Sequence, residues 1–313
     1  SEALIKADAG IAYADEAIME DTGRRVHKIV LRPGFCLDHF LNYPFMGLMT
    51  AIRRNLLHDA KPFNDCQSIE AANERLILGA LTGATRTVHV PAVVYERLQS
   101  NDPPALRRLP LSAITTFLQQ FGFHQATVNP TATPGLYSIR YNHALPGKTG
   151  IVIPTKNKGQ ILKLAVDSLE RTVPDDLYDL VVVNHESDDP ETITLLQTLS
   201  KKHRVIEYQG PFNFSTINNV AAKCFDESID SFLFMNNDVE AIKGRWLETM
   251  RDLLGRREVG IVGATLLYPA DLSSGSGPDS NVATHPKGDH RLVTNTSQDE
   301  HQRTVFDENV PHF

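Results

Sequence analysis

Between residues 150 and 265 short apolar runs alternate with amphipathic stretches, and that rhythm excludes most folds. The runs at 151–154 (IVIP), 180–183 (LVVV), 205–208 (VIEY), 232–235 (FLFM) and 259–264 (VGIVGA) are too short for helices and read as strands. Between them Leu162, Ala165, Val166 and Leu169 recur at helical spacing. So do Ile217, Val220, Ala221 and Cys224, and again Trp246, Leu247, Met250, Leu253 and Leu254. Asp189-Pro190-Glu191 combines a cap residue, a proline at the first helical position and an early acid, and Ser215 is expected to cap the next helix. Strand–helix repetition of this kind predicts an α/β fold, a mostly parallel sheet with helices on both faces. Polar clusters close the runs at 155–157, 184–189 and 236–240. Parallel strands deliver such groups to one carboxyl edge, hence to one crevice.

The first half is less regular. Strands are expected at 11–14, 28–31 and 137–141, helices at 70–79 and 111–121, and an extended segment at 86–94. Pro146-Gly147 is the expected domain boundary, and beyond Pro269 the composition (SSGSGPDSN at 273–281) predicts irregular chain. A length of 313 residues suits two domains. The formal net charge of −7, with Arg pairs only at 24–25, 53–54, 107–108 and 256–257, argues against nucleic-acid binding. No apolar run reaches the roughly 20 residues of a transmembrane segment. The opening SEALIKADAG lacks a signal-peptide core. Cys36, Cys66 and Cys224 are widely spaced and are expected to be buried free thiols of a reducing compartment.

Asp238 follows an apolar run and sits beside Asn236, Asn237 and Glu240. Clustered oxygen donors at a strand end suit Mg²⁺ or Mn²⁺, and they equally suit a turn. Thr155, Lys156 and Asn157 could contact a nucleotide at the sheet edge, although neither a Walker A nor a GxGxxG loop is present. The 184–189 cluster could read a base or ribose by hydrogen bonds, while Asp188 and Asp189 would serve as well as helix caps. His185 reads as a polar loop residue rather than a catalytic base.

In order and spacing, IVIPTKN (151–157), VVVNHESDDPET (181–192), PFNFSTINN (211–219), FMNNDVE (234–240) and VGIVGATLLYP (259–269) resemble the family 2 glycosyltransferases. The resemblance is to those multidomain bacterial members that build surface polysaccharides. It implies a GT-A-like, Rossmann-like fold and inverting, metal-dependent transfer from a nucleotide-diphosphate sugar to a glycan or lipid-linked acceptor. It further implies a cytoplasmic setting, with peripheral association at the inner face of the bacterial inner membrane. Pro154, Thr155, Asn157, Asn184, Ser187, Asp188, Asn219 and Asn237 would lie at the nucleotide sugar, and Asn236 and Asp238 at the DxD-type metal motif. The chain departs from the family pattern where Asn184 replaces an acid and Glu186 a glycine. Residues 1–98 (GIAYADEAIMEDTGRRVHKIVLRPGF and following) resemble the later half of a preceding GT-A domain, with Asp15-Glu16-Ala17 at a degenerate metal motif and Ser68 where a base is expected. The implied organisation is 1–98 acceptor-side segment, 99–147 connector, 148–269 nucleotide-sugar region and 270–313 tail. Asp289, Asp299, Asp307 and Glu308 are carboxylates without a matching context, so the resemblance assigns no catalytic residue. A non-catalytic relative that binds a nucleotide sugar or scaffolds partners is the alternative. A sugar nucleotidyltransferase would need a glycine-rich basic loop after the first strand.

Overall fold

The computed structural model describes residues 8–20, 25–57, 69–84, 86–98, 109–131, 136–143, 145–264, 266–269, 290–292 and 304–306. Two compact units meet in sequence between Asn142 and His143.

In the first unit β1 (Ile11–Met19) is the central strand. It pairs antiparallel with β2 (Val26–Val30). After α1 (Leu37–Asn42), β3 (Thr50–Ile52) pairs with it antiparallel as well. After α2 (Ile69–Leu81), β4 (Thr87–Leu98) runs parallel to it. The β1–β4 register slips between Ala14 and Glu16, opposite the segment holding Pro91. Proline has no N–H for the ladder, so a bulge forms there. Sequence reading ends the first strand at Ala14 because Asp15 and Glu16 break the apolar run, yet both are buried. α3 (Leu111–Gln120) buries Ile114, Phe117 and Leu118, and a hairpin of β5 (Thr127–Pro130) and β6 (Tyr137–Arg140) follows.

The second unit runs β7 (Lys148–Thr155), α4 (Gly159–Thr172), β8 (Tyr178–Asn184), α5 (Pro190–Leu199), β9 (Arg204–Glu207), α6 (Phe214–Ala222), β10 (Ile229–Phe234). β11 (Val239–Ala241) and α7 (Trp246–Leu254) continue it. The sheet order is β10-β7-β8-β9, all parallel. Alternation along the strands sends Ile151, Ile153, Leu180 and Val182 into a core with Leu162, Val166 and Leu169 of α4, Leu196 of α5 and Trp246 of α7. Val152, Val181 and Val183 face the other way, onto Ile217 and Ala221 of α6. Helices therefore cover both faces, as the alternation predicts. The chain winds outward from β7 to β9, crosses on α6 and returns as β10 on the far side of β7. That reversal puts the topological switch point between the carboxyl ends of β7 and β10. β12 (Leu266–Pro269), β13 (His290–Leu292) and β14 (Thr304–Phe306) join β11 in a small sheet ordered β11-β14-β12-β13. The stretch expected to be irregular thus contains two short strands, and its remaining residues lie outside the described ones.

Several expectations need correction. Residues 259–264 form no strand. Two glycines weaken the run, and Ile261 is 91% exposed, while Val259, Val262 and Ala264 are only half-buried. The cap of α6 is Asn213, not Ser215: Asn213 has the extended backbone a cap needs, and its side chain accepts from Thr216 N–H at 3.0 Å. Cys36 is exposed rather than buried, Cys224 is half-buried and packs against the Val152–Val181–Val183 core, both are free, and Cys66 lies outside the described residues.

Candidate functional site

The carboxyl ends of β7 and β8 are joined through Asn157. Its backbone N–H donates to Ser187 Oγ at 2.8 Å and its Nδ2 to Asp188 Oδ1 at 2.8 Å. Its Oδ1 accepts from the backbone N–H groups of Asp188 and Asp189, both at 3.0 Å. One amide side chain therefore uses both its ends to pin the 187–189 loop. Asn157 (φ 56°), Lys158 (φ 59°) and Glu186 (φ 53°) are all left-handed. Strain of this sort in non-glycine residues persists only where surrounding contacts enforce it, and it concentrates at functional edges. No side chain caps the amino end of α4 at Lys158. Backbone N–H groups at such an end suit an anion.

The turn after β10 is tied to the same point. Asn237 Nδ2 donates to Thr155 Oγ1 at 3.0 Å, and that hydroxyl donates to the Asn157 carbonyl at 3.1 Å. The Asn236–Asp238 turn is thereby held beside the end of β7, at the switch point. Asn236 is exposed and Asp238 half-buried. Nearby Glu240 pairs with Arg171 at 3.8 Å. Among the described residues no group of three or more His, Cys, Asp or Glu is placed to hold a metal. The donor set is one carboxylate with amide oxygens. That fits a hard cation, such as Mg²⁺ or Mn²⁺, which takes one or two protein oxygens and fills its shell with water and substrate phosphate.

At the β8–β9 side Asn184 is buried and hydrogen-bonded at both ends of its amide. Its Nδ2 donates to Glu207 Oε2 at 2.8 Å and its Oδ1 accepts from Ser187 N–H at 3.1 Å. Glu207 was not singled out from sequence; only the pairing of β8 with β9 reveals it. His185 is buried, its Nε2 hydrogen-bonded to the Gly210 carbonyl at 2.8 Å, so that nitrogen carries the proton. That bond ties the end of β8 to the loop after β9. Asp189 caps α5 by accepting from the Thr192 hydroxyl at 2.7 Å and from its N–H at 2.8 Å, and those bonds hold its carboxyl below the ordinary range.

Of the sequence candidates, Thr155, Asn157, Asn184, Ser187, Asp188 and Asn237 form one connected network. Asn236 and Asp238 flank it through the turn, and Pro154 pairs with Val183 in the sheet next to it. Asn219 lies on the exposed side of α6, and no hydrogen bond joins it to the network among the described residues. Its neighbour Asn218 is buried and donates back to the Phe214 carbonyl at 2.9 Å.

In the first unit Asp15 and Glu16 are consumed internally. Asp15 Oδ1 accepts from Arg32 N–H and pairs with His89 Nε2, both at 2.8 Å. Glu16 binds Arg32 Nη2 at 2.7 Å, Arg97 Nε at 3.4 Å and the Tyr95 hydroxyl. Burial works against ionisation of both carboxyls, but these hydrogen bonds and positive charges hold them below the ordinary range. Ser68, Asp289, Asp299, Asp307 and Glu308 lie outside the described residues.

Residues 150–304 match the family model described as Glycosyl transferase family 2. Over 276 residues, 85% of the chain, the sequence is 26% identical to O-antigen biosynthesis protein RfbC of Myxococcus xanthus, covering 21% of it. Over 122 residues, 38% of the chain, it is 34% identical to the uncharacterized protein y4gI of Sinorhizobium fredii, covering 13% of that protein. The chain thus spans about a fifth or less of these curated relatives. Among solved structures it is similar to the mannosyltransferase PcManGT from Pyrobaculum calidifontis in complex with GDP-Man and Mn²⁺ (16% identity, 37% of this chain, 34% of that chain, TM-score 0.33). It is also similar to S. aureus TarS 1–349 (19% identity, 39% of this chain, 41% of that chain, TM-score 0.29).

Proposed function

We propose, on the premise that residues 150–304 belong to glycosyl transferase family 2, that the carboxyl edge of β7, β8 and β10 binds a nucleotide-diphosphate sugar for transfer to a surface-polysaccharide acceptor. The observation that carries this reading is the Asn237–Thr155–Asn157 relay, which fixes three strand-end loops around the switch point. The network leaves the Ser187 hydroxyl proton, one Asp188 carboxylate oxygen, the Asn237 carbonyl and the amino end of α4 available to a ligand. Thr155 and Asn157 act mainly by holding those groups in place. Asn236 and Asp238 would hold Mg²⁺ or Mn²⁺ together with the donor's diphosphate, and the chemistry supplied is charge neutralisation at the leaving group. Inversion at the anomeric carbon requires a general base within hydrogen-bond reach of the acceptor hydroxyl, and none of the described residues is assigned that role. Transfer to a lipid-linked or glycan acceptor would put the chain in the cytoplasm, at the inner face of the membrane. No helix among the described residues is long and apolar enough to cross it.

Calorimetry with UDP-, GDP- and dTDP-sugars, with and without Mn²⁺, tests the site. The expected result is Mn²⁺-dependent binding of one donor, weakened at least about tenfold in Asp238→Ala. Failure of every donor to bind would overturn the reading. A second reading, a non-catalytic module, is favoured by Asn184, whose amide is spent on Glu207 and Ser187 rather than left to a base. It predicts donor binding with no hydrolysis or transfer when acceptor glycans are supplied.

A further inference from the structure

Phe212 is an apolar side chain left 67% exposed on a loop that is otherwise fastened at both ends. Upstream, Gly210 is gripped on both sides by consecutive residues of the β8 edge. Its carbonyl accepts from His185 Nε2 at 2.8 Å, and its N–H donates to Glu186 Oε1 at 3.3 Å. Gly210 itself has φ 118°, a backbone conformation that disfavours other residues. Downstream, Asn213 caps α6. The Phe212 ring lies 5.7 Å from the buried His185 imidazole, tilted by 39°, and Tyr208 flanks the same imidazole at 5.7 Å. Most of that ring faces water, so its packing uses little of its apolar surface. Holding its backbone by hydrogen bonds on both flanks makes it a pre-positioned surface.

We propose that Phe212, backed by His185, is a stacking platform for the nucleobase of the donor. The inference rests on the donor-binding reading and adds a direction to it. In strand order the edge carries the Asn236–Asp238 turn after β10, the Thr155–Asn157 loop after β7, the 184–188 loop after β8 and the Phe212 loop after β9. The strands stand roughly 4.8 Å apart, so the edge is about 14 Å long. A nucleoside diphosphate laid along it places its anionic end at the β10–β7 side, by the carboxylate–amide turn and the uncapped amino end of α4. Its base then falls at the β8–β9 side, where Phe212 offers its ring. Stacking uses the π-face every base has, so the platform contributes affinity, while polar groups of the 184–188 loop would supply the choice of base.

The experiment compares two probes on the full chain: the nucleoside diphosphate that binds best among UDP, GDP and dTDP, and inorganic pyrophosphate, each with Mn²⁺. Phe212→Ala is expected to weaken the nucleotide roughly tenfold and leave pyrophosphate unchanged, and Phe212→Trp to keep or improve nucleotide binding. Equal nucleotide affinity in wild type and Phe212→Ala overturns the platform and leaves the donor site standing. Equal loss of both probes in Phe212→Ala also overturns it, since the residue would then only shape the loop. If wild type binds neither probe, the donor-site reading falls and the platform with it.

Discussion

Asn157 shows what a single residue carries here and how little of it can be read in advance. Its place in IVIPTKN marks it as a strand-end polar group, but the ligand-facing role expected of it is largely taken by protein partners: Ser187, Asp188 and Asp189. Sequence spacing cannot show that, because the partners lie 30 or more residues away. The residue also adopts φ 56°, which asparagine tolerates and alanine does not. Asn157→Ala therefore loses several hydrogen bonds and adds strain, and about 2–3 kcal/mol of stability should go, measured by urea unfolding. Asn157→Gly loses the same bonds without the strain and should cost less. If the glycine variant is the less stable one, the left-handed backbone is not what selects asparagine. The same logic separates Asn184 and Asp189, both legible as polar edge residues, from their actual partners Glu207 and Thr192.

At the scale of elements, strands and helices of the second unit were readable because burial there follows simple periods. β7 and β8 alternate between two cores, and the cap-and-proline start of α5 stands as the sequence implies. Elements defined by distant contacts were not readable: β1 runs through two acids, and the 259–264 run pairs with no strand among the described residues. Arg251 of α7 is another such contact. It is buried and donates to Thr149 Oγ1 at 2.8 Å and to the carbonyls of Leu145 and Gly147 at 2.9 and 2.5 Å. A helix is thereby clamped to the segment leading into β7. Arg251→Met keeps the length but strands those acceptors and Asp230, and should destabilise the second unit by about 3–5 kcal/mol, read as a lower urea midpoint. A loss below about 1 kcal/mol would show the clamp to be dispensable. Gly159 gives a sharper steric case. A Cβ there would meet the Cα and Oγ1 of Thr192 at 3.0 Å, where α4 starts against α5. Gly159→Ala should cost about 1–3 kcal/mol and displace the Asp189–Thr192 cap, visible as a shifted Thr192 amide resonance.

At the scale of the whole molecule, the two units should part company in acid. In the first, Asp15 and Glu16 are buried carboxylates whose hydrogen bonds and cationic partners outweigh burial and depress their titration below the ordinary values of 3.8 and 4.5. An unfolded chain binds protons at those groups before the folded one does. Their stabilisation is therefore complete above the ordinary values and drains away as pH falls below about 4 toward the depressed ones. In the second unit the depressed carboxyls, Glu170 beside His203 and Lys202, the helix cap Asp189 and Asp226 beside Ser228, are far more open to solvent, where screening weakens such pairs. The chain supplies its own reporter for this difference. Its one tryptophan, Trp246, is buried in the second unit's core and donates to Thr172 Oγ1 at 3.0 Å. On acidification, far-ultraviolet circular dichroism should show a partial loss of structure while Trp246 emission stays native, two transitions that do not coincide. Glu16→Gln should weaken the first unit at neutral pH, because a neutral amide pairs less strongly with Arg32 and Arg97, and should flatten the first transition, because one of its titrating groups is gone. A single transition seen identically by both signals would mean that the units unfold as one body, and that the Asp15–Glu16 cluster does not set the acid limit of the chain.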